Sequence, residues 1–97
     1  MDKQQILQYL KEHKNELQQR YGVVKIGLFG SYVRDEQNED SDIDIVVEID
    51  KEHKRLSSFF GLKRELEKAF AKRVDLGTQS SIKPLVKKYI QKEILYV

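Results

Sequence analysis

The stretch DIDIVVEI, residues 42–49, constrains the fold more than any other part of the chain. It is alternating and rich in β-branched residues, so it reads as a strand. With a period of two, Ile43, Ile45, Val47 and Ile49 take one face, and Asp42, Asp44, Val46 and Glu48 take the other. The first face demands a hydrophobic core. The second carries two carboxylates whose Cα atoms stand about 7 Å apart. The chain must therefore build a sheet with a core on one side and a charged surface on the other.

The remaining elements follow from local patterns. Residues 2–20 read as a helix, with Asp2 and Gln5 forming a capping box and Ile6, Leu7, Leu10, Leu17 and Tyr21 near one face. Gly22 ends it. VVKIGLF, residues 23–29, reads as a strand that Gly30 stops, and Ser31 is placed to cap a short helical turn. The polar run 34–42 lies between two apolar segments and reads as a loop. A second helix is expected over 56–72, with Leu56, Phe59, Phe60, Leu66 and Phe70 as its stripe and Ser57 or Ser58 as its cap. A short strand follows over 73–78, stopped by Gly77. A last helix is expected over 82–92, capped by Ser80 or Ser81, with Pro84 in its tolerant first turn. The terminal ILYV adds a short strand. Helical connections between short strands imply a small sheet with helices on one face. At 97 residues, without linker, repeat or low-complexity stretch, the chain reads as a single domain, 1–97.

Asp75 gives the charged face its meaning. It lies between Val74 and Leu76, whose side chains should enter the core, so Asp75 should point the other way. If strands 42–49 and 73–78 are neighbours, Asp42, Asp44 and Asp75 converge. Two unit charges 6 Å apart repel by ~0.7 kcal/mol in water and ~3 kcal/mol at an effective dielectric of 20. Three such charges call for a cation. An all-oxygen set without His or Cys selects Mg²⁺, with Mn²⁺ as the alternative, and two such ions can clamp a triphosphate. Gly30-Ser31 supplies a second element: a strand-to-turn junction where glycine permits close approach of a phosphate, and free N–H groups and a hydroxyl can meet it. Either element alone is commonplace.

Together they run Gly30-Ser31, ten residues, Asp42-Ile43-Asp44, then Asp75. In this the chain resembles the DNA polymerase β-type nucleotidyltransferases, and GSYVRDEQNEDSDIDIVV is similar to their minimal prokaryotic members, which often act as antitoxins paired with HEPN-domain toxins. The resemblance covers nearly the whole chain. It implies an α+β fold, a small mixed β-sheet with helices packed on one face, of the polymerase β palm-like kind. It also implies that Gly30, Ser31 and Arg34 hold the nucleotide's phosphates. Asp42 and Asp44 would bind the metal ions, and Asp75 would complete the metal site and help deprotonate the acceptor hydroxyl. The expected reaction moves an NMP, AMP from ATP, to a hydroxyl of a separate protein, a tyrosine of a HEPN ribonuclease toxin. The competing expectation is a non-catalytic nucleotide-binding module that masks the toxin by contact. Two departures favour it: Asp35 stands where the family has glycine, and Asn38 where many members have a second arginine.

Composition narrows the partners. The net charge of +2 argues against nucleic acid as the main partner. No cysteine is present, which excludes disulfides, thiolate catalysis and Cys-based zinc sites. No apolar run nears the ~20 residues that span a bilayer, and the charged amphipathic N-terminus lacks a signal-peptide core. The expected location is cytoplasmic, with no membrane contact. His13 and His53 fall in charged segments, read as exposed, and lack metal-ligand spacing. Glu48 reads as a rim charge, Tyr32 as a packing residue, and Arg34 is open to a loop ion pair with Asp35 or Glu36. Lys83, Lys87, Lys88 and Lys92 read as a solvated basic edge. The adjacent Phe59 and Phe60 cannot both face one core, a hint of assembly with itself or with a partner.

Overall fold

The computed structural model describes residues 1–79 and 92–97. Helix α1 spans Lys3–Tyr21, strand β1 Val23–Phe29, β2 Ile43–Ile49, helix α2 Leu56–Phe70, β3 Val74–Thr78 and β4 Leu95–Tyr96, with 3₁₀ turns at Gly30–Tyr32 and Lys51–His53. None of the described helices is long and apolar enough to cross a membrane. The expected last helix lies outside the described residues except for Lys92, which is exposed.

The sheet order is β3-β2-β1-β4. β1 pairs antiparallel with both β2 and β4, and β2 pairs parallel with β3. The sheet is therefore mixed, and the fold is the α+β arrangement expected from the sequence. Ile43, Ile45, Val47 and Ile49 of β2 enter one core cluster with Ile26 and Leu28 of β1, Val74 and Leu76 of β3, Ile6, Leu10 and Leu17 of α1, and Leu62, Leu66 and Phe70 of α2. Tyr32 joins the same cluster and is 1% exposed, so the packing role expected of it holds.

α1 starts where its sequence says. Asp2 accepts from the Gln5 backbone N–H at 2.9 Å, and the Gln5 side chain accepts from the Asp2 N–H at 3.0 Å. Gly22 closes the helix in the left-handed region, φ +72°, where a Cβ would overlap the His53 ring. Asp2→Ala should lower stability by about 1 kcal/mol, a Tm drop of about 4–8 °C for a chain of this size, as read by thermal circular dichroism. An unchanged Tm would mean the cap contributes nothing here.

Several local expectations are corrected. Ser31 lies inside its turn rather than capping it, since Phe29 occupies the cap position. Ser57 and Ser58 do not cap α2; Arg55 stands there without a side-chain cap. α2 ends at Phe70 because Ala71 turns left-handed, φ +53°. Leu56 is exposed and Phe60 half-exposed, while Leu62 takes the core position. Gly77 does not stop β3, which pairs on through Thr78. Both histidines are half-buried rather than exposed. The His13 ring stacks on Tyr9 at 4.0 Å, and His53 Nδ1 lies 2.7 Å from Asp50 Oδ1.

The second sheet face also differs from expectation, because it is not wholly polar. Across the strands one row reads Gly77, Val46, Gly27, Tyr96. Val46 is fully buried there. The glycine on β1 makes this possible, because a Cβ on Gly27 would stand 2.7 Å from Ile94 Cγ2 and 2.9 Å from Tyr96 Cδ1. Ile94 and the Tyr96 ring thus lie directly on the backbone at Gly27. Lys25 Nζ sits 4.5 Å from the centre of that ring, and the Tyr96 hydroxyl accepts from Gln79 Nε2.

Candidate functional site

The polar end of the second face is the end where β2 and β3 begin. Two hydrogen bonds set the start of this parallel pair: Ile43 N–H donates to Arg73 O at 3.0 Å, and Val74 N–H donates to Glu67 Oε2 at 3.0 Å. From there Ile43 pairs with Val74, and Asp44 pairs directly with Asp75. Asp44 also stands opposite Phe29 at the end of β1, so the next residue along, Gly30, comes up against it. Gly30 adopts φ +82°, and a Cβ placed there would lie 2.9 Å from Asp44 Cγ and closer still to Oδ2. Glycine at this turn is required twice, by the left-handed backbone and by the carboxylate packed on it.

Of the six predicted residues, the structure sets Gly30, Asp75, Asp42 and Arg34 around Asp44. Asp44 is half-buried, and its carboxyl is pushed up to about 6 from an ordinary 3.8. Burial is the main cause, followed by the charges of Asp75 and Asp42; the Arg34 guanidinium works in the opposite direction. Ser31 follows Gly30 in the turn, where its carbonyl accepts from Glu36 N–H at 2.9 Å. Asp42 falls just before β2, one residue short of the expected strand, and is exposed; Arg73 Nε lies 3.4 Å from its Oδ1. Glu48 faces solvent two positions past Val46, opposite Lys25, as a rim charge would.

The donor set suits a hard divalent cation in kind, because it is all carboxylate oxygen. Among the described residues, no three metal-ligating side chains are drawn together at coordination spacing. The two departures from the family pattern have structural roles. Asp35 sits at φ +57°, a left-handed position that glycine takes without strain, and its exposed carboxylate is 3.8 Å from Lys3 Nζ. Asn38 builds the loop before β2, accepting at Oδ1 from Asp40 N–H while its own N–H donates to Ser41 Oγ.

Sequence reasoning missed one residue. Glu93 reaches the Gly30-Ser31 turn from the far end of the chain: its Oε1 accepts from Gly30 N–H at 3.2 Å and from an Arg34 terminal nitrogen at 2.9 Å. The loop ion pair of Arg34 with Glu36 is present as well, at 3.1 Å. No local signal marks Glu93, which is one acidic residue in a charged tail.

Comparison with known proteins bears on the family and the fold. The family model described as nucleotidyltransferase domain matches residues 10–97. Protein adenylyltransferase MntA of Thermococcus cleftensis is 45% identical over 94 residues, covering 97% of this chain and 94% of that protein. A protein of Methanocaldococcus jannaschii, provisionally named a protein adenylyltransferase, is also 45% identical, over 95 residues, covering 96% of this chain and 95% of its own. A solved structure provisionally described as a minimal nucleotidyltransferase superposes with a TM-score of 0.75 at 28% identity, covering 98% of this chain and 95% of that one. A crystal structure of a toxin–antitoxin with AMP-PNP shares the fold, with a TM-score of 0.64 at 24% identity and 89% and 70% coverage.

Proposed function

This chain belongs to the nucleotidyltransferase domain family, and we propose that it moves AMP from ATP onto a hydroxyl of a separate protein, a tyrosine of a HEPN ribonuclease toxin, and so acts as its antitoxin. The observation that carries this reading is the Asp44–Asp75 register pair packed against the Gly30 turn. Support for the protein acceptor and the toxin comes from the adenylyltransferase relatives and from fold neighbours solved in toxin–antitoxin complexes.

Asp42, Asp44 and Asp75 would hold Mg²⁺, two ions with Mn²⁺ as a substitute, which when bound supplies charge neutralisation at the phosphates and lowers the pKa of the attacking hydroxyl. Gly30 N–H, the Ser31 hydroxyl and Arg34 bind and orient the triphosphate. The acceptor oxygen bonds to the α-phosphorus while the bond to the pyrophosphate oxygen breaks, and the hydroxyl proton passes to the Asp75 carboxylate. Positioning and electrostatics are the main contributions expected of the protein.

The test is the intact mass of the protein encoded beside this one after incubation with it, ATP and Mg²⁺. A gain of one or more AMP units is expected, abolished by EDTA and by Asp42→Asn/Asp44→Asn. A stable complex with no mass gain would overturn transfer and favour masking by contact.

A further inference from the structure

Glu93 contacts the same Gly30 N–H and Arg34 guanidinium that the proposed function gives to the nucleotide's phosphates. Its carboxylate bridges the Gly30 N–H and the Arg34 guanidinium, with Oε1 bound to both and Oε2 also 3.1 Å from the same Arg34 nitrogen. One anion across a backbone N–H and a guanidinium is the pattern by which proteins hold a phosphate oxygen. The side chain is 23% exposed, so this is no loose surface pair. Its position is odd for a fourth negative charge, because it lies close enough to Asp44 to add to the repulsion there. The main chain behind it is anchored: Leu95 pairs with Leu28 and Tyr96 with Gly27. Clearing the turn therefore needs only rotation about the Glu93 side-chain bonds, with β4 left in place.

We infer that Glu93 is a built-in competitor for the nucleotide's phosphates. It holds Gly30 N–H and Arg34 in the nucleotide-free protein, and the triphosphate must displace it to bind. The inference rests on the reading of Gly30 and Arg34 as phosphate donors. It sets the sign of a substitution: losing the carboxylate tightens phosphate binding, whereas a Glu93 that merely oriented Arg34 would weaken binding on removal.

Calorimetric titration of the full chain and of Glu93→Gln, with Mg²⁺ present, tests this with three probes: AMP-PNP, pyrophosphate and adenosine. Glu93→Gln should bind AMP-PNP and pyrophosphate about tenfold tighter, the size of one charged hydrogen-bonding competitor, and bind adenosine as the parent does. Equal or weaker AMP-PNP binding in Glu93→Gln, beside measurable binding in the parent, would overturn the inference and leave the nucleotide site standing. Equal tightening for adenosine would overturn it too, since the effect would not lie at the phosphates. Absence of AMP-PNP binding in both proteins would remove the nucleotide reading and this inference with it. Should Glu93→Gln fail to fold, Glu93→Ala, which also removes the carboxylate, carries the same test with the same sign.

Discussion

Asp44→Asn should reduce nucleotidyl transfer by at least about 10²–10³-fold while leaving the metal-free protein as stable as the parent, or more so. The two effects have one cause. The Asp44 carboxyl titrates near 6 in the folded protein against 3.8 as its ordinary value, because burial and the charges of Asp75 and Asp42 oppose ionisation. The folded state thus keeps a proton that the unfolded chain has already released. Stability of the metal-free protein must fall as pH rises from about 4 through about 6, then level off. The gap of about two pKa steps would be ~3 kcal/mol at face value. Because the group is half-exposed, solvent screening cuts this to ~1 kcal/mol. Asn carries no charge, so the variant should lose that slope and melt up to about 4–8 °C higher at pH 7.5 without metal. Mg²⁺ should reverse the order, stabilising the parent and not the variant. Thermal melts at pH 4.5 and 7.5, each with EDTA and with Mg²⁺, measure all of this. A large drop in Tm for metal-free Asp44→Asn would make the residue structural and sink the reading of this face.

Gly30→Ala is the second large effect, and here stability and activity fall together. Alanine at φ +82° costs about 1–2 kcal/mol in backbone strain. The new Cβ also overlaps the Asp44 carboxylate, and relieving that overlap costs about 1–3 kcal/mol more. Asp44 has a short side chain on a central strand, so it yields only by leaving its place beside Asp75. A total loss of about 2–5 kcal/mol is expected from chemical denaturation, together with loss of transfer. A double-mutant cycle separates the causes. In an Asp44→Gly background, where Cβ, Cγ and Oδ2 are all gone, Gly30→Ala should cost the backbone part alone, about 1–2 kcal/mol. Equal costs in both backgrounds would show that the packed carboxylate is irrelevant to the choice of glycine.

These two residues were legible in the sequence to different depths. Asp44 could be placed on a strand and on a face from alternation alone, since neighbouring side chains on a strand point opposite ways whatever surrounds them. Gly30 could be placed at a turn. Its pairing with Asp44 could not, because that contact depends on Phe29 lying opposite Asp44. The stripe of α2 shows the same divide. Periodicity put Leu56 and Phe60 on the stripe and passed over Leu62, whereas packing in the folded chain left Leu56 exposed and Phe60 half-exposed and took Leu62 into the core.

What the sequence determined by itself is therefore local: the α1 capping box, the strands at 23–29 and, to within one residue, 42–49, and the presence of three aspartates and a Gly-Ser turn on elements able to display them. Backbone sterics and side-chain alternation act within a few residues, and both survive any choice of topology. The tertiary structure decided what meets what. It put β3 beside β2 in parallel, so that Asp75 pairs with Asp44 across 31 residues of chain. It buried Val46 in a row flanked by glycines on a face that alternation marks as polar. It also brought Glu93 to Arg34 across 59 residues and to Gly30 across 63. Such contacts arise from how the sheet is ordered, and no pattern confined to one segment encodes the strand that will become its neighbour.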